Sequence, residues 1–115
     1  ATLLEKREPH NYPKEWGKIV LQDNFGMYDV AYVCNGKRVC YFTQMTIQKN
    51  AVSIDNKDTD IKEIKVGIHN GHWYDLKDKK CNILVWSDGE YMYTLSAFYG
   101  PISSEDMIAV AASVK

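Results

Sequence analysis

Three dipeptides, Asn35-Gly36, Asn70-Gly71 and Asp88-Gly89, lie between runs of alternating apolar and polar residues, and no other feature constrains this chain as strongly. A tight type I′ turn needs positive φ at both central residues, so Asn-Gly between period-two segments predicts an antiparallel hairpin. Residues 27–34 and 37–47 flank the first dipeptide, 61–69 and 72–76 the second, and 81–87 and 90–99 the third. Residues 18–22 add a leading strand that stops at Asp23-Asn24. The polar stretch 50–60 reads as a loop with room for a short strand at 52–54. Three hairpins in series predict local pairing throughout, which is a meander.

The tail reads differently. Gly100-Pro101 breaks the last strand, Ser103 is placed as a helix N-cap, Asp106 stands where a capping residue reaches back, and Glu105 suits the positive end of the helix dipole. Met107, Ile108, Val110, Ala111 and Val114 then recur at helical spacing. A helix of about twelve residues does not persist alone in water, so it must pack on the sheet. The expected fold is α+β: a twisted antiparallel β meander of about six to seven strands, with a C-terminal α-helix packed on one face. At 115 residues the chain suits one domain, 1–115, with 1–11 as a frayed end.

With two-residue turns, Trp86 faces Tyr91, Leu84 faces Tyr93 and Asn82 faces Leu95, while Ile83, Val85, Met92, Thr94 and Phe98 take the other face. In the first hairpin Val30, Tyr32, Val39 and Tyr41 share a face, and Ala31, Val33, Cys40 and Phe42 share the opposite one. Both faces are therefore substantially apolar. The helix covers one; the other needs the N-terminal segment, a partner chain or a bound apolar molecule.

Composition narrows the function. The net charge is −1 and the pI near 6.3, without the basic stripe of a nucleic-acid protein, so no nucleic-acid partner is expected. No apolar run approaches the roughly 18 residues that span a bilayer, so membrane attachment would need a segment outside these residues. Cys34, Cys40 and Cys81 form no CxxC, and in the register above Cys34 and Cys40 point to opposite faces and should not bridge. If Asn70-Gly71 is a turn, His69 and His72 face each other about 5 Å apart. Zinc normally takes three or four protein ligands, so this pair is only a weak metal candidate beside a solvated turn. Cys34 near Lys37 and Arg38 reads as a strand residue beside solubilising cations, and Asp55, Asp58 and Asp60 as a solvated loop. There is no Gly-x-Ser-x-Gly elbow, no Cys/His arrangement and no phosphate loop. The expectation is a non-enzyme with no cofactor. Trp73, Trp86, Tyr91 and Tyr93 are the candidate ligand- or partner-binding residues, because Tyr and Trp join a flat apolar body to a polar tip; cross-strand packing asks for the same residues.

In chain order, Tyr12-Pro13-Lys14-Glu15-Trp16, the hairpin from Tyr32 closing on Tyr41-Phe42-Thr43-Gln44, the glycine-containing pair over 64–74, Leu84-Val85-Trp86-Ser87-Asp88-Gly89 with Tyr91 and Tyr93-Thr94-Leu95, and the helix from Ser103 to Val114 resemble the domain of unknown function numbered 4367. The resemblance runs from Tyr12 to Lys115; it departs at Lys14-Glu15-Trp16, where a Pro-Glu-Gly-type turn is more usual, and the cysteines are not a family hallmark. It implies an extracytoplasmic domain of membrane-anchored bacterial proteins, some resembling anti-sigma factors, with no catalytic residues to carry over. The expected role is a non-enzymatic sensory or protein-interaction module. The alternative is a carrier or binder of an apolar ligand, lipid or peptide, cupped by the sheet.

Overall fold

The computed structural model describes residues 4–24, 26–47, 59–98, 100 and 102–115. Seven strands, β1 (Gly17–Asp23), β2 (Met27–Cys34), β3 (Lys37–Thr46), β4 (Thr59–Val66), β5 (His69–Leu76), β6 (Cys81–Ser87) and β7 (Tyr91–Phe98), precede the helix α1 (Ser104–Ala112). They form one open antiparallel sheet in the order β1-β2-β3-β7-β6-β5-β4. The sheet is two local meanders, β1 to β3 and β4 to β7, joined by one long-range pairing of β3 with β7 in which Phe42 lies opposite Leu95. That join puts two fully buried residues at the centre and leaves β4, with Lys62, Glu63 and Lys65, as an outer strand. Charged residues on an edge discourage pairing with other chains. The short strand considered at 52–54 lies outside the described residues.

Each turn dipeptide has its own outcome. Asn35-Gly36 forms the expected two-residue turn, with φ of 53° and 77° and Cys34 opposite Lys37. One step further, Tyr32 pairs with Cys40 and Val33 with Arg38, so Val39 is an extra residue on β3. A bulge of this kind reverses the facing of everything beyond it. Phe42 and Cys40 therefore join Tyr32 and Val30 in the core, Tyr41 goes to the opposite face, and Cys34 and Cys40 both belong to the core side as free thiols.

Asn70-Gly71 is not a turn. It lies inside β5, and the chain reverses at Gly67-Ile68, where Gly67 has φ of 62° and Val66 pairs with His69. Gly71 is needed for a different reason: a Cβ there would stand 3.0 Å from the Val85 carbonyl oxygen and 3.2 Å from Trp86 Cβ. At the third dipeptide, Ser87 pairs with Met92, and Asp88 Oδ1 accepts from the backbone N–H of Glu90 and of Tyr91, both at 2.9 Å. This longer turn moves the register by two, so Trp86 lies opposite Tyr93, Leu84 opposite Leu95 and Asn82 opposite Ala97. An even shift preserves the faces.

Ser103 caps the helix, its Oγ accepting from Asp106 N at 3.2 Å, and Met107, Val110 and Ala111 are its buried stripe. The helix packs against β4, β6 and β7 and is too short to cover the rest of its face. Residues 4–16 complete the cover. The Tyr12 and Trp16 rings lie 4.9 Å and 5.8 Å from that of Tyr32, and Glu8 and Lys115 exchange two backbone hydrogen bonds of 3.1 and 3.2 Å. His10 N and Asn11 N both donate to Ser113 Oγ at 3.0 Å. The segment expected to fray is thus tied down from Leu4 onward, and on the same face as the helix. Among the described residues, no helix or strand packs on the opposite face.

Candidate functional site

Two features of the sheet are available for recognition. The first is the groove that holds the N-terminal strap. Gln44, on β3, is fully buried, and its amide is spent on the strap: Oε1 accepts from Arg7 N at 2.8 Å and Nε2 donates to the Glu5 carbonyl at 2.7 Å. Glu5 N donates to the Tyr91 hydroxyl at 3.0 Å. The Arg7 guanidinium then reaches the β6–β7 turn, donating to Asp88 Oδ2 at 2.5 Å and to Glu90 Oε2 at 2.8 Å, and lying 5.1 Å from the Tyr91 ring centre. Tyr93 donates its hydroxyl to the same Asp88 oxygen at 2.5 Å. Next along the strap, Glu8 accepts from Tyr28 Oη at 2.7 Å and from Lys18 Nζ at 3.0 Å, and Lys6 pairs with Asp23.

Electrostatics follow from these contacts. Burial pushes the Asp88 carboxyl up, but the Tyr93 hydroxyl, the two turn N–H groups and Arg7 outweigh it and hold the group at about 2. Burial and the Asp88 hydrogen bond push the Tyr93 phenol well up. Glu8 is lowered: burial opposes its charge, while Tyr28 and Lys18 stabilise it more. These groups therefore stay in one charge state across the neutral range.

The second feature is the bare sheet face. Register partners run in one line across all seven strands: Ile19, Ala31, Tyr41, Ser96, Ile83, Tyr74 and Ile61. Ile19 and Ile61, at the two ends, are each 45% exposed, and Tyr41, Ile83 and Tyr74 are half-buried. The adjoining line carries His72, Val85, Thr94, Thr43 and Asp29, with Thr43 Oγ1 donating to Asp29 Oδ1 at 3.0 Å. The face is apolar along its middle and hydroxyl-bearing beside it.

A family model described as Domain of unknown function (DUF4367) matches residues 6–114. The chain belongs to that family. Neither the curated proteins nor the solved structures contain a match.

Within this DUF4367 domain the four aromatic candidates are separated. Trp73, Trp86 and Tyr93 are buried in the core face beneath the helix and strap, where Trp86 stacks on Tyr93 at 5.4 Å. Only Tyr91 stays half-exposed, and its ring is taken by Arg7. His69 and His72 stand three apart on one strand and so on opposite faces, His69 opposite Val66 and His72 opposite Glu63. They do not converge, and the described residues contain no group of three or more His, Cys, Asp or Glu placed for a metal. Recesses border the helix: one of about 150 Å³ over Trp86 and Tyr93 beside His69 and Asp88, one of about 320 Å³ over Trp73 between Asp75, Asn82 and Ile108, and one of about 310 Å³ between Tyr12 and Pro13 of the strap and Ile102, Ala109 and Val110 of the helix segment. No helix among the described residues is long and apolar enough to cross a membrane. Sequence reasoning missed Gln44 and Arg7, because nothing local marks a strand glutamine as buried or an N-terminal arginine as its client. It also missed Tyr41 and Tyr74, whose facing depends on the bulge and the turn position.

Proposed function

We propose that this domain is a non-enzymatic protein-interaction module that docks a partner on the sheet face opposite the helix. One observation carries the proposal: the Ile19–Tyr41–Ile83–Tyr74–Ile61 line spans the full width of the sheet with no described element over it. Aromatic residues flanked by hydroxyl-bearing ones suit a reversible protein interface with a polar rim. A lipid would favour a deeper and drier site. The recesses beside the helix are walled by Lys62, Asp75 and Asn82, by His69 and Asp88, or, beside Tyr12 and Ile102, by Asn11, Lys14 and Asp106. This supports the interaction reading over the apolar-ligand carrier. The resemblance to extracytoplasmic, membrane-anchored bacterial proteins supports a sensory role, in which the strap carries the binding state of the sheet towards the N-terminus.

A photo-crosslinking residue placed in turn at Tyr41, Ile83 and, as control, the exposed helix position Ala109 tests the idea in the cells that make the protein. The expected result is one protein adduct from Tyr41 and Ile83, with the crosslinked peptide sequenced from both sides and none from Ala109. Lipid adducts at Tyr41 and Ile83 would move the function to apolar-ligand carriage. Adducts that do not depend on position would end the docking proposal.

A further inference from the structure

Three of the four methionines in this chain stand in one line across three adjacent strands. Met45 on β3 is the register partner of both Met27 on β2 and Met92 on β7. All three are half-buried on the face opposite the helix, whereas Met107 is fully buried beneath it. Facing residues of an antiparallel ladder have Cβ atoms about 4.5–5.5 Å apart, so the outer two methionines are about 10 Å apart across the middle one. A methionine side chain has three rotatable bonds and ends in a polarizable thioether. Three sulfurs on neighbouring strands can therefore meet above β3 without any backbone movement. Asp29 lies on the same face, two residues along β2 from Met27, and its half-buried carboxylate is held by Thr43 at 3.0 Å.

We propose that Met27, Met45 and Met92 form a thioether site for a soft monovalent metal ion of the Cu(I) class, with Asp29 supplying the compensating negative charge from the neighbouring line. Thioethers select soft ions, whereas carboxylate, carbonyl and water suit Mg, Ca and Mn. Zinc prefers a set of thiolate, imidazole or carboxylate ligands, and three neutral sulfurs beside a single carboxylate already held by Thr43 fall short of the three or four it takes. Three neutral donors beside one carboxylate balance one positive charge and no more. The site is independent of the partner-docking function, since binding needs only the three side chains and the order of β2, β3 and β7.

The test uses the full chain carrying ¹³C-methyl methionine, with Ag(I) as a redox-inert probe and Cu(I) kept reduced by ascorbate. The four methyl resonances are assigned through single Met→Leu variants. Because thiols also take these ions, the titration is repeated in Cys34→Ser/Cys81→Ser, which removes the two half-buried thiols and leaves the buried Cys40. The expected result is that the Met27, Met45 and Met92 methyls move together, complete at one ion per chain, while Met107 stays in place. Met45→Leu should abolish the joint shift of the other two and weaken Ag(I) binding at least about tenfold, because the middle donor is lost. Circular dichroism and the melting temperature should stay as in the parent. The proposal is overturned if the three methyls stay fixed through one equivalent in the cysteine variant. It is equally overturned if Met27 and Met92 shift unchanged in Met45→Leu, or if Met107 moves with them.

Discussion

Gln44 holds Arg7 by its main chain: the amide oxygen accepts the Arg7 N–H at 2.8 Å, while the amide nitrogen of the same fully buried side chain donates to Glu5 O at 2.7 Å. One glutamine thus does for the strap what a neighbouring strand would do, satisfying a donor and an acceptor two residues apart. Buried polar groups need such partners, and here the side chain and the strap supply each other's. The strap is accordingly part of the fold, and a pull on its upstream end would be felt first at β3 and at the β6–β7 turn.

Gln44→Leu keeps the volume but orphans Glu5 O and Arg7 N. It should cost about 1–3 kcal/mol, the penalty for leaving buried polar groups unpaired. Urea denaturation should show a lower midpoint at unchanged slope, and amide exchange should rise at residues 5–8 before it rises in β3.

Asp88 titrates at about 2 in the folded chain against an ordinary 3.8. A depressed carboxylate contributes stability that is complete above the unfolded value and is lost as pH falls through the folded one. Asp88 should therefore contribute on the order of 2 kcal/mol at neutral pH, declining between about pH 4 and pH 2. Asn at this position still accepts from the two turn N–H groups but offers Arg7 no charge. Stability measured against pH should be flatter for Asp88→Asn than for the parent across that acid window.

The two glycines around the β4–β5 turn should respond for different reasons. In Gly71→Ala the new methyl meets the Val85 carbonyl oxygen at 3.0 Å and Trp86 Cβ at 3.2 Å, in the middle of paired strands. Overpacking of this kind costs about 1–3 kcal/mol. Gly67→Ala has open space but keeps a φ of 62°, which costs roughly 1–2 kcal/mol. Phe keeps the Cβ that Trp86 presents and leaves the Val85 carbonyl in place, so adding Trp86→Phe to either glycine variant should recover neither loss. Melting temperatures of the five variants decide this.

Cys40 is buried, and that burial pushes its thiol up to about 12. The thiolate is the reactive form, so Cys40 should stay unlabelled by a water-soluble disulfide reagent at pH 8. The half-buried Cys34 and Cys81 should react in the native state, and the third equivalent should appear only with unfolding, at the rate of unfolding. A third thiol titrating in the native protein would contradict the placement of Cys40 beneath the helix and strap.

The amphipathic helix should depend on its cap. Ser103→Ala removes the acceptor for Asp106 N and should cost about 1 kcal/mol, whereas Ser103→Asp should be close to neutral. Denaturation midpoints of the two variants, compared with the parent, check the difference.

What local chemistry determines was legible in the residues. Asn35-Gly36 turns because those two residues accept positive φ, Ser103 caps because its hydroxyl reaches a backbone N–H three residues on, and Met107, Val110 and Ala111 share a face because a helix repeats every 3.6 residues. The strand count, the antiparallel class and the helix on one face follow from the same short-range terms. Contacts between residues far apart in sequence decided the rest. Gly71 belongs to a strand because Trp86 from β6 crowds it, Val39 bulges, and β3 leaves its neighbour β4 for β7, with Phe42 facing Leu95 at the centre of the sheet. Those choices set which way Tyr41, Cys40 and the methionines face, since one inserted residue reverses a strand. They also send the strap to the helix side, because the helix packs mainly against β4, β6 and β7 and the buried amide of Gln44 needs a partner there. Period and propensity act over a few residues, while packing selects among registers that local energies leave nearly equal.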